Sequence, residues 1–293
     1  MPRANKNTTA QQPHLTESPH NKQPQNNQQS TPKIPHKPKP KIEAVCDFLC
    51  RYSSALLSNG AYTSRIIKCT ERIGKAWGYE VHLSVFLKYI TINITDVANY
   101  DNRRTQVINN APLRANLALI SNLSALSWQI HDEHLSLKEA QKSFDYTLSQ
   151  KRLSAVLGVF IISLGNAAFC RLFGGDLGAL LCIFAGTFVG ILVRHFCHKI
   201  HLDSRAQYLL CSFIVSFTAY IGVWLGLSAT PDIAIAGSIL YLIPGALIIN
   251  AFVDIIHENT LMGISRTINM AVAMICLAAG VFITLSISKI NIL

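Results

Sequence analysis

Leu240-Tyr-Leu-Ile-Pro-Gly-Ala-Leu-Ile-Ile-Asn-Ala-Phe-Val-Asp254 belongs to an apolar, membrane-length segment broken at Pro244-Gly245. Asn250 and Asp254 within it are spaced i, i+4 and so share one helix face. A proline inside a helix removes a hydrogen bond and kinks the axis. In hydrocarbon the freed carbonyls are tolerated only against protein or a water-filled cavity. A carboxylate at that depth is expensive and points to function. The stretch therefore reads as a gated polar path through a bilayer.

The rest of the chain agrees. Only 14% of the 293 residues are charged, against 50% hydrophobic, where a soluble chain carries about 25% charged residues. The deficit lies in the second half. Five uncharged runs, 153–170, 177–193, 206–231, 233–253 and 267–288, are each near the roughly 17–25 residues of a transmembrane helix. The polar N-terminus lacks an early apolar core, so no signal peptide is expected. Basic residues precede the first run (Lys151-Arg152), fill the connection from Arg194 to Arg205 and return at Arg266. That bias predicts a multi-pass inner-membrane protein with a cytoplasmic N-terminus and, for five spans, a periplasmic C-terminus.

The net charge of +10 is mostly local. Seven basic residues against Glu17 place +6 of it in residues 1–41, a Pro-, Gln- and Asn-rich stretch expected to be disordered. It is a solvated tail or a contact for anionic lipid headgroups. No aromatic residue is interleaved with the basic ones, so nucleic acid is not an expected partner.

Residues 42–150 read as a small α/β domain. Helical spacing runs from Ile42 to Trp77 with a break at Asn59-Gly60. Residues 81–95 alternate in β fashion, with a phase slip between Leu87 and Ile90 that predicts a turn or bulge. Thr105 to Asn109 offers a further strand, and helical spacing returns over 113–130 and 137–148. Ser136-Leu-Lys-Glu139 is a capping box. The expected fold is a membrane α-helical bundle of five spans over 151–293, preceded by this cytoplasmic domain and the disordered tail.

Several marks in order along the chain resemble the threonine/serine exporter superfamily, and within it the five-span YjjP-type subunits of bacterial succinate exporters. They are Leu56-Leu-Ser-Asn-Gly-Ala61, Leu135-Ser-Leu-Lys-Glu-Ala140, Phe169-Cys-Arg-Leu-Phe-Gly-Gly-Asp176, and Ile243-Pro-Gly245 followed by Asn250-Ala251, Asp254, Gly263 and Arg266. The resemblance covers about 44–288. It implies export of small carboxylates, succinate or a related C4-dicarboxylate, together with a second small membrane subunit of the YjjB type. Threonine or serine export is the alternative within the superfamily. An odd number of spans also suggests a missing partner, because transporter repeats come in matched halves.

The candidate substrate-path or gating residues are Pro244, Gly245, Asn250, Asp254, Gly263, Arg266, Asn166, Arg171 and Arg194. Arginine binds carboxylates with a planar fork; at span ends it also serves as a topological anchor. An Asp254–Arg266 pair closing the cytoplasmic mouth is expected to survive reversal of both charges if it is purely a pair. Asp254 is otherwise a proton-coupling carboxylate or a plain interfacial cap. Asn250 and Asn166 hold substrate or cross-link helices, and Gly186-Thr-Phe-Val-Gly190 has the spacing of a close helix contact. The role of the soluble domain is gating or oligomerisation.

No cofactor or metal is implied. His195, Cys197, His198 and His201 lack the second ligand pair of a structural zinc site. The eight cysteines contain no C-x-x-C and are expected to be reduced. Catalytic motifs such as G-x-S-x-G and H-E-x-x-H are missing, which disfavours a membrane-anchored enzyme. A membrane scaffold is disfavoured by the broken fourth run, for which a passive anchor has no use.

Overall fold

A computed structural model describes residues 39–110, 115–150 and 154–288. Residues 1–38 of the tail expected over 1–41, the first two residues of the helix expected over 113–130, Lys151-Arg152 and the first residue of the first expected span lie outside them. Helix α1 (Ile42–Ser58) buries Val45, Leu49, Tyr52 and Leu56 along one stripe, the i, i+4, i+7, i+11 pattern of a core-facing helix. Helix α2 (Thr63–Ala76) follows after the break at Asn59-Gly60, where Gly60 takes a φ of +92°. Three antiparallel strands come next in the order β1 (Tyr79–Val85), β2 (Tyr89–Asp96), β3 (Asn99–Asn109). The phase slip is the turn from Phe86 to Lys88, and Val85 pairs with Ile90 across it. Ile90, Ile92 and Ile94 are fully buried in the same core as α1.

Strand β3 begins six residues before the expected Thr105. Its first half is exposed and polar, so no alternation marks it; ladder pairing with β2 holds it instead. Helices α3 (Leu117–Asp132) and α4 (Leu137–Ser149) complete this core. Tyr52 Oη donates to Leu123 O at 2.7 Å, tying α1 to α3. The capping box is present: Glu139 N–H donates to Ser136 Oγ, and Ser136 N–H to Glu139 Oε2 at 2.7 Å. Ser136→Ala is expected to lower the unfolding free energy of the full chain by about 1 kcal/mol, read from chemical unfolding in detergent.

Residues 154–288 form a bundle of α5 (Ala155–Leu172), α6 (Leu177–Lys199), α7 (Ser204–Trp224), α8 (Pro231–Ser238), α9 (Gly245–Ile256) and α10 (Thr260–Ser288). Helix α7 packs on α6, α8 and α10. Large apolar side chains such as Val156, Leu172, Leu181, Ile275 and Phe282 face outward. Small and hydroxyl residues fill the interior: Ser163, Thr187, Ser212, Ser216 and Thr284 are fully buried. That distribution suits a bundle whose surroundings are hydrocarbon. The hydroxyls of Ser216 and Thr284 join α7 to α10 at 2.7 Å. A Cβ on Gly186 would sit 3.0 Å from Val215 O, so the Gly186–Gly190 pair serves contact with α7.

Among the described residues, α6, α7 and α10 are long and apolar enough to cross a membrane. The chain segments Pro231–Leu242 and Gly245–Ile256 make a fourth if they count as one broken span, bent by 60°. Five full-length spans are thus not what the helices give, because the first apolar run yields the shorter helix α5 and the fourth is broken. Three boundaries also move. Helix α6 runs on to Lys199 and does not stop at 193. Helix α7 ends at Trp224, before Gly226 at φ +75°, and not at 231; α10 starts at Thr260 and not at 267.

Candidate functional site

The break follows from local chemistry. Ile243 is extended (ψ 119°), and Pro244 cannot donate, so α9 restarts at Gly245. The carbonyl of Pro244 then accepts from Leu247 and Ile248 N–H at 3.0 and 3.1 Å. Helix α9 leaves α8 at the bend and packs against α10. A tight reversal at His257–Asn259 joins α9 to α10, with Glu258 at φ +64° and Asn259 N–H donating to Asp254 O at 2.8 Å. A Cβ on Gly263 would lie 2.5 Å from Ile255 Cγ1 and 3.1 Å from Ala251 O. Glycine there lets the two helices close, and that closure brings Arg266 to Asp254.

Asn250 and Asp254 share a face, and that face meets the α1–α2 corner. Asn250 Nδ2 donates to Gly60 O at 2.6 Å. Arg266 donates to Ala61 O at 2.9 Å. Thr63 N–H donates to Asp254 Oδ1 at 2.7 Å, and Asn259 Nδ2 to Ser64 Oγ at 3.0 Å. The Tyr62 ring stacks on His257 with centroids 6.1 Å apart. Five side chains from α9, α10 and their turn thus hold a five-residue corner about 200 positions earlier in the chain.

The electrostatics are consistent bond by bond. Tyr62, the N-cap residue of α2, supplies no side-chain cap. Asp254 supplies one from outside, placing a carboxylate at the positive end of α2. Arg266 addresses a carbonyl of the same corner and approaches Asp254 Oδ2 at 2.9 Å. This contact is an ion pair whose angle is not that of an in-line hydrogen bond. Asp254 is 0% exposed and Arg266 6%.

The structure therefore brings together Asn250, Asp254, Gly263 and Arg266, with Pro244 and Gly245 at the near end of the same helix. Arg266 lies nearly two turns inside α10, not at its start. Arg194, Pro244 and Gly245 line a separate cavity of about 790 Å³. Asn166 is elsewhere: its Nδ2 donates to Thr187 Oγ1 at 2.7 Å and Gly237 O at 3.2 Å, joining α5, α6 and α8. Arg171, in the last turn of α5, donates to Gly175 O at 2.7 Å and closes its own turn.

Two contributors were missed by sequence reasoning. The corner Gly60–Thr63 acts through backbone atoms; its one sequence signal is a helix start whose N-cap, Tyr62, has no capping side chain. Asp176 was read only as part of a motif. It caps α6 and accepts from Ser228 Oγ at 2.7 Å and Ala229 N–H at 3.0 Å. The Ala229 N–H, the Ser228 hydroxyl and the Ala179 N–H hold its carboxyl well below the usual range. It fastens the α5–α6 connection to the α7–α8 connection.

A family model described as "Putative threonine/serine exporter" matches residues 47–288. The chain is similar to the "Probable succinate transporter subunit YjjP" of Klebsiella aerogenes, 26% identical over 215 residues, which is 72% of this chain and 81% of that protein. It is 27% identical over 237 residues to the protein of the same name from Escherichia coli K12, covering 79% of this chain and 90% of that one. No solved structure matches it.

Proposed function

The chain belongs to the threonine/serine exporter family, and on that premise we propose that it is one subunit of an inner-membrane exporter of small carboxylates, succinate or a related C4-dicarboxylate. It is a multi-pass membrane transport protein and not an enzyme. The relatives' names call them succinate transporter subunits, which supports a partner; we assign that role to a small membrane protein of the YjjB type. Helix α5, 18 residues or about 27 Å long, counts as the first span and the bent α8–α9 pair as the fourth. The proposed topology then has five spans, a cytoplasmic α/β domain over 42–150 and a cytoplasmic N-terminus.

The observation that carries the mechanism is the docking of the α1–α2 corner on α9. Export needs a site that opens to one side at a time, and a broken helix held at its far end by a soluble element is a two-state device. Asn250, Asp254 and Arg266 grip the corner in the closed arrangement, and Pro244-Gly245 is the hinge. Gly263 keeps α9 and α10 close enough for the grip. Asn166 and Arg171 hold the fixed part of the bundle.

The test is efflux of labelled succinate and threonine from cells lacking their own exporters. Cells carry the chain alone, the chain with its small partner, or the pair with Asp254→Asn. Succinate efflux is expected only with both subunits, and the variant is expected to lose it. Threonine efflux in its place would move the chain to the amino-acid branch. No efflux with both subunits inserted would remove the reading.

A further inference from the structure

Beyond its grip on the corner, helix α9 turns its first residues, Gly245, Ala246 and Leu247, to the 790 Å³ cavity between the end of α6, the start of α7, the break and α10, with Ala115 beside the corner also in the lining. Arg194, His195 and His198 line it from the last turns of α6, Arg205 from the first turn of α7, Tyr241 from the break and Asn269 from α10. Four basic side chains meet there with no Asp or Glu in the lining. The nearest carboxylate along the chain, Asp203, caps α7 by accepting from Arg205 N–H at 2.8 Å.

Cations at a helix C-terminus have a plain explanation in the helix dipole and in loop charge. One feature exceeds it. Arg205 belongs to the N-terminal turn of α7, where the dipole disfavours a cation, yet it shares the cavity with Arg194 and no carboxylate lines it. An anionic ligand would answer this.

We infer that this cavity is the loading site for a small dicarboxylate dianion, with Arg194 and Arg205 each addressing one carboxylate. Two fixed positive charges match the ligand's two negative ones, and each guanidinium offers a bidentate fork. The Asn269 amide, whose Nδ2 also donates to Ser265 O at 2.8 Å, adds a neutral contact. A zwitterionic amino acid lacks an acidic partner here for its ammonium. Because Pro244 and Gly245 form part of the lining, filling the cavity bears directly on the hinge. The assignment of the ligand as cargo rests on the exporter reading; binding itself is measurable without transport.

Arginine modification by phenylglyoxal, mapped by mass spectrometry, tests this on the unaltered full-length chain, alone and with its partner subunit. Succinate is expected to slow modification of Arg194 and Arg205 and to leave Arg51 unaffected, since Arg51 pairs with Asp145 on the surface. Butyrate, threonine and inorganic phosphate are expected to protect weakly. Arg194→Gln and Arg205→Gln should each weaken succinate binding about tenfold or more, with melting temperature unchanged. Equal protection by phosphate, or by phosphatidylglycerol, would make this an unselective anion or lipid-headgroup site and overturn the inference. Succinate efflux from cells without protection in either preparation would overturn the cavity and leave the exporter reading intact. Protection without efflux would keep the site and remove the exporter reading.

Discussion

Arg266→Ala is expected to lower the unfolding free energy by about 3–5 kcal/mol, the range for stripping one partner from a buried ion pair, and to abolish efflux. Asp254 is fully buried. Without Arg266 its carboxylate retains the Thr63 N–H and the dipole of α2, but no counter-charge. Ala61 O loses its donor as well. Asp254→Asn is expected to be milder, because the amide oxygen still accepts from Thr63. Chemical unfolding of the full chain in detergent measures both; an Arg266→Ala loss of under about 1 kcal/mol would show the pair to be well solvated.

The corner also changes what charge reversal should do. As a bare pair, Asp254 and Arg266 would tolerate exchange. The corner is polar in a fixed sense: an N–H points at residue 254 and a carbonyl at residue 266. Exchanged charges would set a guanidinium against the N-terminus of α2 and a carboxylate against Ala61 O, both repulsive. The Asp254→Arg, Arg266→Asp double variant is therefore expected to recover little of the lost stability, which distinguishes a pair docked on a corner from a free-standing one.

How much of this was legible follows from which atoms carry each contact. The α1–α2 break was written in Asn59-Gly60, the β-turn in the slip between Leu87 and Ile90, and the start of α4 in Ser136 and Glu139. Each is a local side-chain signal, and each element forms there. Asp254 and Arg266 could be paired in advance because few other charges interrupt the apolar runs and a helix hairpin brings i and i+12 together. The corner could not, since Gly60 O, Ala61 O and Thr63 N–H are backbone groups that every sequence possesses. The polar half of β3 was invisible because an exposed edge strand needs no alternation. The cavity draws on α6, α7, the break and α10, and no spacing rule relates Arg194 to Asn269.

Thr63→Pro separates docking from folding. Thr63 is the first residue of α2, where proline is favoured and the missing N–H deprives the helix of nothing. Tyr62 already sits at φ −75°, ψ 154°, the extended region that a following proline requires. Helix α2 should therefore form as before. The Asp254 carboxylate loses its charge-assisted donor, worth about 1.5–3 kcal/mol, and the new ring carbon presses on Oδ1 where the hydrogen stood. Release of the corner from α9 should become about 10- to 150-fold more frequent. Hydrogen exchange of α9 amides reads that change, with the interior amides of α2 as the internal control. Faster exchange in α9 alone, with efflux losing its regulation, is the expected result and would make the corner a latch. Equal loss of protection in α2 would mean that the corner is part of the helix's own stability, and unchanged exchange would mean that Arg266 and Asn250 hold it without Thr63.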